Sequence, residues 1–376
     1  MLIGYRIILI AAVLTVFLGS LMVVSAEMGN GAGDTQYLTK MIIRQGAYAL
    51  AGLIVYALFL WIPVYRFRTY LFWAAYLAIL VCLIACRFFG QTNGAYAWIR
   101  FGPMFTIQPS EFAKVLMIAL AGKLLSVDRG EKNLDCFKTY AWAAMIYFGI
   151  ILFVQHDLGS AVVLFVICYC VMLIPGHKQL RKPQAIMLIG VLIAVAGIAV
   201  MMSPPFTAFL KKYADDYRVA RFLAAADPFL YQYDNGYHLI MSLVSFANGG
   251  LYGLGYGNSI HKYMNFPNPS NDFILPVIVE ETGILGFITF LILYGCLLIP
   301  IVNASFKTER LSSKIVLLGV FTYFTVHFIL NIGGVSGLIP LTGVPLLMVS
   351  SGGSSLLASL IALALAQNEM KRSFRK

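Results

Sequence analysis

Ten apolar stretches run through this 376-residue chain and set the strongest limit on how it can fold. A helix needs about 17 to 25 mostly apolar residues to cross the hydrocarbon core of a bilayer. Only 11% of the residues are charged, whereas soluble domains carry about 25%. The sequence therefore predicts an all-α polytopic membrane protein that forms one transmembrane unit over residues 1–376. The predicted spans lie near residues 5–25, 46–65, 70–89, 112–126, 139–155, 159–175, 186–203, 273–299, 315–332 and 347–366.

The basic residues indicate how these helices are oriented. Ten spans place both termini on the same side of the membrane. If that side is the cytoplasm, the short inner segments contain more than half of the 27 lysines and arginines, as the positive-inside rule requires. We therefore expect cytoplasmic termini. The net charge of +11 thus reflects the orientation of the helices in the membrane. A nucleic-acid partner would need a concentrated basic face, and the sequence has none, so this class of partner is excluded.

The longest segment without a predicted span covers residues 204–272, between the predicted seventh and eighth helices on the outer side. Its first part, 204–229, resembles an amphipathic helix, and 238–257 resembles a partly buried helix that ends in glycines. Long loops without regular structure are uncommon unless they are functional. We expect this loop to pack over the outer mouth of the helix bundle and to carry function.

Charged residues stand at the start of the eighth predicted span, in FPNPSNDFILPVIVEETG (266–283). If the helix begins at Pro276, Asp272 lies in the turn before it, and Glu280 and Glu281 lie roughly 12 Å deeper at about 1.5 Å per residue. A buried charge is costly at membrane depth, so at least one glutamate must face a cavity or a cation. Asp272 is either a helix cap or a functional carboxylate.

A second charged group begins the fourth predicted span. Pro109 and Ser110 suit a helix start, and Glu111 and Lys114 lie one helical turn apart, so that they can pair. One interpretation is a structural ion pair. The other is that Lys114 or Arg100 faces an anionic substrate at the outer boundary of the membrane.

Two further segments are rich in small residues. GGLYGLGYG (249–257) lacks the G-x-G-x-x-G spacing and a preceding strand, which excludes a dinucleotide loop. NIGGVSGLIPLTGVP (331–345) and VSSGGSSLL (349–357) interrupt the last two spans. Such a segment either lines a cavity with non-helical backbone or lets helices pack closely, and the sequence leaves both readings open.

Taken in order, several motifs resemble the SEDS family of the FtsW, RodA and SpoVE type over nearly the whole chain. The resemblance implies ten helices and a peptidoglycan glycosyltransferase that polymerises lipid II, usually beside a class B penicillin-binding protein. The motifs are WIRFGPMFTIQPSEFAK, QHDLGSA, RVARFLAAADPF, GYHLIMSLVSFANGGLYGLGYGNSIHK, NDFILPVIVEETG, NIGGVSGLIPLTGVP and SGGSS.

The resemblance also implies roles for individual residues, in a bacterial cytoplasmic membrane. Asp272 falls on the family's catalytic aspartate and would act as the base. Lys262, Arg218 and Arg221 match family positions near it, and cations there, or Mg²⁺ or Mn²⁺, could neutralise the departing pyrophosphate. The remaining candidate substrate-side residues are Arg100, Glu111, Lys114, Glu280 and Glu281. Two alternatives stay open: a flippase for the same lipid-linked precursor, and a non-catalytic scaffold for the transpeptidase.

Overall fold

The structure is a computed structural model that describes residues 2–31, 34–92, 94–102, 105–128, 130–201, 206, 228–231, 236–264, 266 and 268–373. Within these residues the regular structure is almost entirely α-helical. The helices are α1 (Leu2–Glu27), α2 (Thr35–Trp61), α3 (Thr69–Ala85), α4 (Pro109–Leu124), α5 (Asn133–Gly149), α6 (Leu158–Leu173), α7 (Arg181–Met201), α8 (Tyr237–Gly249), α9 (Ile274–Lys307), α10 (Leu311–Val335) and α11 (Gly353–Ser373).

All the helices except the 13-residue α8 lie on the ten predicted apolar stretches. Several predicted boundaries were wrong; helix α9, for example, ends at Lys307 and not near 299, and two other errors have a local cause. The helix expected at 46–65 begins at Thr35, because the Asp34 side chain caps it by accepting hydrogen bonds from the amides of Gln36 and Tyr37. The helix expected at 347–366 begins only at Gly353, because the chain before it runs as turns and extended backbone.

The prediction of a purely helical chain also needs one correction. Between the third and fourth predicted spans, residues Ile99–Phe101 (β1) and Phe105–Ile107 (β2) form an antiparallel hairpin. Arg100 pairs with Thr106 in its register, and Gly102 takes a left-handed φ of 73° after β1. The hairpin leads directly into α4, which begins at Pro109 as the sequence predicts.

The distribution of side chains is that of a protein in lipid. Large apolar side chains such as Ile10, Leu58 and Ile186 are exposed on the outside of the helices, whereas charged groups such as Lys114 and Glu281 are buried inside. Among the described residues, six helices combine the length and hydropathy needed to cross a bilayer: α1, α2, α3 with the 3₁₀ turn that extends it to Phe89, α5 with the π-helical turn that extends it, α9 and α10.

Helix α10 lies at the centre of the fold and packs against α4, α6, α9 and α11. Helix α11 packs on α2, and α1 packs on α9. A polar contact shows which helix ends meet, because the amide of Gln108, just before α4, donates to Ser354 Oγ at the start of α11 over 2.9 Å. This arrangement brings the beginnings of α4, α9 and α11 to one end of the bundle.

Helix α9 is broken at Gly283, which has φ 67° and ψ −168°. A broken helix frees backbone groups that must find other partners at membrane depth. The glycine-rich segment 249–257 supplies them, as the partners of four bonds show: Leu254 N to Glu280 O at 2.9 Å, Gly255 N to Glu281 O at 2.9 Å, Ile284 N to Gly250 O at 3.0 Å and Leu285 N to Leu251 O at 3.3 Å. The segment therefore completes the hydrogen bonding of α9.

The predicted outer loop, residues 204–272, is described only in part. Helix α8 confirms the predicted partly buried helix, and Gly250 follows its last residue with a positive φ of 51°. Helix α8 packs on α9 and α10, where Ser242 Oγ donates to the carbonyl of Val335 over 2.6 Å. Most of the predicted amphipathic helix at 204–229 lies outside the described residues.

Candidate functional site

Asp272 lies in the turn that leads into α9, one residue before its N-cap Phe273, and it is partly exposed. Its main-chain oxygen accepts a hydrogen bond of 2.9 Å from Asn331 Nδ2. Gly343 faces the carboxylate, since a Cβ atom built on this glycine would lie 3.5 Å from Asp272 Oδ2. The carboxylate therefore lies between the start of α9 and the non-helical segment that follows α10.

That segment, residues 336–352, forms a wall beside Asp272. Asn331 Nδ2 also donates to the carbonyl of Val344 over 2.9 Å, so that one amide nitrogen holds both the wall and the Asp272 turn. Ser350 Oγ donates to Asn271 O over 2.9 Å and Ser351 N to Ser270 O over 2.9 Å. The interruption seen in the sequence is therefore non-helical backbone that borders a partly exposed carboxylate.

Glu111 and Lys114 form the ion pair that their spacing allows, with Lys114 Nζ 2.7 Å from Glu111 Oε1. Both side chains are only 1% exposed. Tyr323 OH donates to the other carboxylate oxygen of Glu111 over 3.2 Å, and Lys114 Nζ lies 3.1 Å from His327 Nε2. The pair is thus enclosed between α4 and α10.

His327 connects this pair to the wall. Its Nδ1 lies 3.1 Å from the carbonyl oxygen of Pro345, which can only accept a hydrogen bond, so Nδ1 carries the proton. Its Nε2 faces the Lys114 ammonium, which can only donate. These partners assign a neutral imidazole with one tautomer. The wall is consequently pinned at two adjacent carbonyls, Val344 by Asn331 and Pro345 by His327.

Glu280 and Glu281 are fully buried, and their partners come from the segment before α9 and from α1. Glu281 Oε1 lies 2.6 Å from Lys262 Nζ, and Ser25 Oγ of α1 donates to the same carboxylate over 2.7 Å. Glu280 Oε1 lies 2.6 Å from His261 Nδ1. Glu281 therefore faces a cation, as the sequence required of at least one of the two glutamates, and Glu280 is bonded to His261.

The other predicted site residues are placed differently. Arg100 is exposed on β1 and donates to Thr92 Oγ1 over 2.6 Å. Lys262, expected at the pyrophosphate, is 2% exposed and engaged with Glu281 and Ser25. Arg218 and Arg221 lie outside the described residues. The structure thus brings Lys262 together with Glu281 and Lys114 with Glu111, in two separate buried groups.

Sequence reasoning did not assign functions to His327 or Asn331. Both lie on α10 four residues apart, so that they share one helix face just before the interruption at 336–352. The sequence did contain a signal for these two residues. It places a histidine and an asparagine on one face of an apolar span, just before the segment that interrupts it. Their partners come from segments distant in the chain, which the spacing alone does not reveal.

A divalent cation would need oxygen or nitrogen ligands close together. Among the described residues, no group of three or more histidine, cysteine, aspartate or glutamate side chains could hold a metal ion. Mg²⁺ is often bound by one or two carboxylates together with substrate phosphates. Asp272 is the partly exposed carboxylate that fits such a shared site, whereas Glu280 and Glu281 are buried among their own partners.

These features define a polytopic helical membrane protein with a partly exposed carboxylate at one end of its bundle. Residues 5–373 match the family model described as cell cycle protein, of the FtsW, RodA and SpoVE type. The chain belongs to this family.

Individual relatives agree with this assignment. The chain is 33% identical over 358 residues to the probable peptidoglycan glycosyltransferase FtsW of Tolumonas auensis, covering 93% of this chain and 87% of the relative. It is 32% identical over 285 residues to the stage V sporulation protein E of Bacillus subtilis, covering 75% and 73%.

Two solved structures share the fold. One is a chain from a study of structural coordination of polymerization and crosslinking by a peptidoglycan synthase complex, with a TM-score of 0.71, 26% identity and coverage of 96% of this chain and 98% of that one. The other is the rod shape determining protein RodA of Thermus thermophilus, with a TM-score of 0.64, 25% identity and coverage of 98% and 97%.

Proposed function

We propose that this protein is a peptidoglycan glycosyltransferase that polymerises lipid II into glycan strands at the outer face of the bacterial cytoplasmic membrane. Its ten long helices would be ten spans with both termini in the cytoplasm. The end of the bundle that carries Asp272 and α8 would then face outward. The observation that carries the proposal is the partly exposed carboxylate of Asp272, held between α9 and the wall in a chain whose relatives are named as such enzymes.

The reaction requires a sugar hydroxyl to attack an anomeric carbon that carries a lipid pyrophosphate. The C–O bond to the pyrophosphate breaks as the new glycosidic bond forms, and the hydroxyl proton must go to a base. We assign this role to Asp272, because a positioned carboxylate can serve as a general base. One carboxylate is enough, since pyrophosphate is a good anionic leaving group and needs no general acid, unlike the leaving groups of glycoside hydrolases.

We assign Asn331 as a positioning residue for Asp272. A positioned base must keep its geometry, because small displacements of reacting groups cost rate. Asn331 is 3% exposed and bonds the main chain of Asp272 and the wall residue Val344 at the same time. It thereby sets the distance between the turn that carries the base and the wall that faces it.

The charge of the departing pyrophosphate has to be met by cations. Lys262 is bonded to Glu281 and Ser25, so we assign it mainly to the structure of the outer loop. Arg100 on the hairpin, and Arg218 and Arg221 in the outer loop, remain proposed pyrophosphate ligands. Mg²⁺ or Mn²⁺ stays a proposed cofactor: Asp272 would hold it together with the pyrophosphate, whose charge the ion would neutralise.

Two structural features favour the enzyme over a flippase. In a transporter, the break in α9 and the buried glutamates would be the groups that bind cargo. Here the freed backbone groups of α9 are bonded by the segment 249–257, and Glu280 and Glu281 are bonded to His261 and Lys262. Both features are therefore part of the protein's own structure.

The proposed partner is a class B penicillin-binding protein, which would crosslink the strands that this protein makes. One structural relative comes from a complex that coordinates polymerization with crosslinking. The relatives include FtsW, the stage V sporulation protein E and the rod shape determining protein RodA, so roles in division, sporulation and elongation are all compatible with the family.

Purified full-length protein incubated with lipid II tests the proposal. Formation of glycan chains longer than the disaccharide, alone or with the penicillin-binding partner, is the expected result. A scaffold would yield no chains in either case unless the partner polymerises on its own, so the partner alone is the control. A flippase would move lipid II across vesicles without lengthening it, and that result would contradict the proposal.

A further inference from the structure

A cavity of about 130 Å³ lies at the end of the bundle opposite to Asp272. Its walls come from the ends of α4 and α11, the beginning of α10, and the chain between α2 and α3. Helices α4 and α11 both begin beside the wall near Asp272, and Lys123 and Arg372 in their last turns line this cavity. The cavity is therefore separate from the site described above.

Two cationic side chains converge on the cavity with donors to spare. Lys123 Nζ donates to the carbonyl of Tyr65, which uses one of its three N–H groups. Arg372 Nη1 donates to Ser312 Oγ over 3.1 Å and to Glu369 Oε2 over 3.3 Å. Nη2 and Nε of Arg372 donate to none of the described residues. The free N–H groups point to an anion as the missing acceptor.

The charge balance of the cavity also favours an anion. Lys123 and Arg372 contribute two positive charges and Glu369 one negative charge, which leaves an excess of one positive charge in the lining. Glu369 Oε2 also accepts a hydrogen bond of 2.7 Å from Ser313 Oγ, so Glu369 is held by Ser313 as well as by Arg372. An incoming phosphate oxygen would complete the donors of Lys123 and Arg372 without displacing Glu369 from Ser313.

The surroundings indicate where the anion comes from. The chain next to the cavity exposes three aromatic side chains, Trp61 at 87%, Phe67 at 41% and Tyr70 at 61%. Exposed aromatic residues at helix ends mark the level of the lipid headgroups. Part of the cavity lining is apolar, from Phe72 and Val316. A phosphate carried by a lipid at this level reaches the cavity without leaving the membrane.

We propose that this cavity binds the headgroup phosphate of an anionic phospholipid, with Lys123 and Arg372 as its ligands. Given the topology proposed above, the lipid belongs to the cytoplasmic leaflet, where anionic headgroups attract basic segments. The lipid would bridge α4, α10 and α11 at the end of the bundle remote from the reaction. Binding here stabilises the folded protein, because the ligand favours the state in which these helix ends are together.

The test uses purified full-length protein in nanodiscs of phosphatidylcholine with increasing phosphatidylglycerol, and thermal unfolding as the readout. We expect the midpoint to rise with phosphatidylglycerol for the natural protein. Lys123→Met should weaken phosphatidylglycerol binding roughly tenfold, the effect of losing one charge-assisted hydrogen bond. Lys123→Arg should restore most of the shift. Lys132→Met removes an exposed lysine outside the cavity and is the matched control. This variant should show the same rise in midpoint as the natural protein.

Two results would overturn the proposal. If Lys123→Met and Lys132→Met reduce the rise in midpoint equally, phosphatidylglycerol acts through the general surface charge and the cavity is not the site. If inorganic phosphate in detergent raises the midpoint as much as phosphatidylglycerol does, the ligand is a free anion. Neither result bears on lipid II polymerisation, so the proposed function would stand or fall separately. Arg372 is not replaced in this test, because its removal would leave the buried carboxylate of Glu369 without its cation and destabilise the fold.

Discussion

Asn331 Nδ2 lies 2.9 Å from the main-chain oxygen of Asp272, although 59 residues separate the two in the chain. The same nitrogen lies 2.9 Å from the carbonyl of Val344. One buried side chain thus ties the turn before α9 to the wall that follows α10. The position of the candidate base is therefore determined by α10, the central helix of the bundle.

Replacing Asn331 by leucine should reduce turnover far more than it reduces substrate binding. The change leaves two carbonyl oxygens without their donor, at a cost of about 1 to 3 kcal/mol each where they stay buried. If about 1.4 kcal/mol of this cost is added to the activation free energy of the reaction, turnover drops roughly tenfold. The measurement is kcat and KM for lipid II polymerisation, with the active fraction corrected for folded protein.

Asn368 provides the matched control, because it is also buried and donates to two main-chain carbonyls, those of Phe59 and Ile62, over 2.7 and 2.8 Å. Asn368→Leu should lower the melting temperature to a similar extent and leave kcat of the folded protein unchanged. Equal losses of kcat in both variants would mean that Asn331 is structural and does not position Asp272.

Replacing Lys262 should lower the stability of the protein more than it lowers the turnover of the folded enzyme. Lys262→Met leaves Glu281 buried without its cation, and breaking a buried ion pair from one side costs about 3 to 5 kcal/mol. The double variant Lys262→Met/Glu281→Gln should recover much of this stability, since no unpaired charge remains. Thermal unfolding in detergent measures both, with the exposed Lys307→Met as control. A single variant as stable as the natural protein would contradict the structural role of this pair.

Gly283→Ala should be among the most damaging single changes in α9. Its φ of 67° disfavours any L side chain, and an added Cβ would lie 2.3 Å from the carbonyl oxygen of Leu251. We expect a loss of several kcal/mol of stability and poor assembly in membranes. Gly46→Ala in α2 meets nothing within 4 Å and should be neutral or slightly stabilising. Comparable yields and melting temperatures for both variants would show that the break in α9 tolerates a side chain.

The proposed topology predicts which positions an impermeant thiol reagent can reach from outside. In a cysteine-free background, a cysteine at Asn268 should react in intact cells, whereas cysteines at Lys132 and Lys307 should react only after the membrane is opened. All three positions are exposed in the structure, so that accessibility of the side chain does not limit labelling. Labelling of Lys307→Cys from outside would reverse the orientation.

Local signals predicted much of the framework. The apolar stretches predicted the ten long helices, and the sequence Pro109–Ser110 predicted the start of α4. The Glu111–Lys114 pair also follows from spacing on one helix. Each of these features depends on residues that are close together in the chain, which is why sequence alone was sufficient.

The features that escaped prediction depend on contacts between distant segments. Ser25 meets Glu281 across 256 residues, and His327 reaches both Lys114 and Pro345. The start of α2 was missed because its first turns are polar and only the cap at Asp34 identifies it. Lys262 was expected to bind pyrophosphate because the family resemblance places it near Asp272, but its burial depends on Ser25 of α1, which the local pattern does not show.

The most direct test of the account compares Asp272→Asn with the natural protein in lipid II polymerisation. Asparagine keeps the size of the side chain and caps helices about as well as aspartate, so the fold should be preserved and the melting temperature should barely change. The amide cannot accept the hydroxyl proton, and loss of a general base lowers rate by about 10² to 10⁴-fold. We predict a stably folded variant that makes almost no glycan. A folded Asp272→Asn protein that polymerises lipid II within a few-fold of the natural rate would contradict the assignment of Asp272 as the catalytic base.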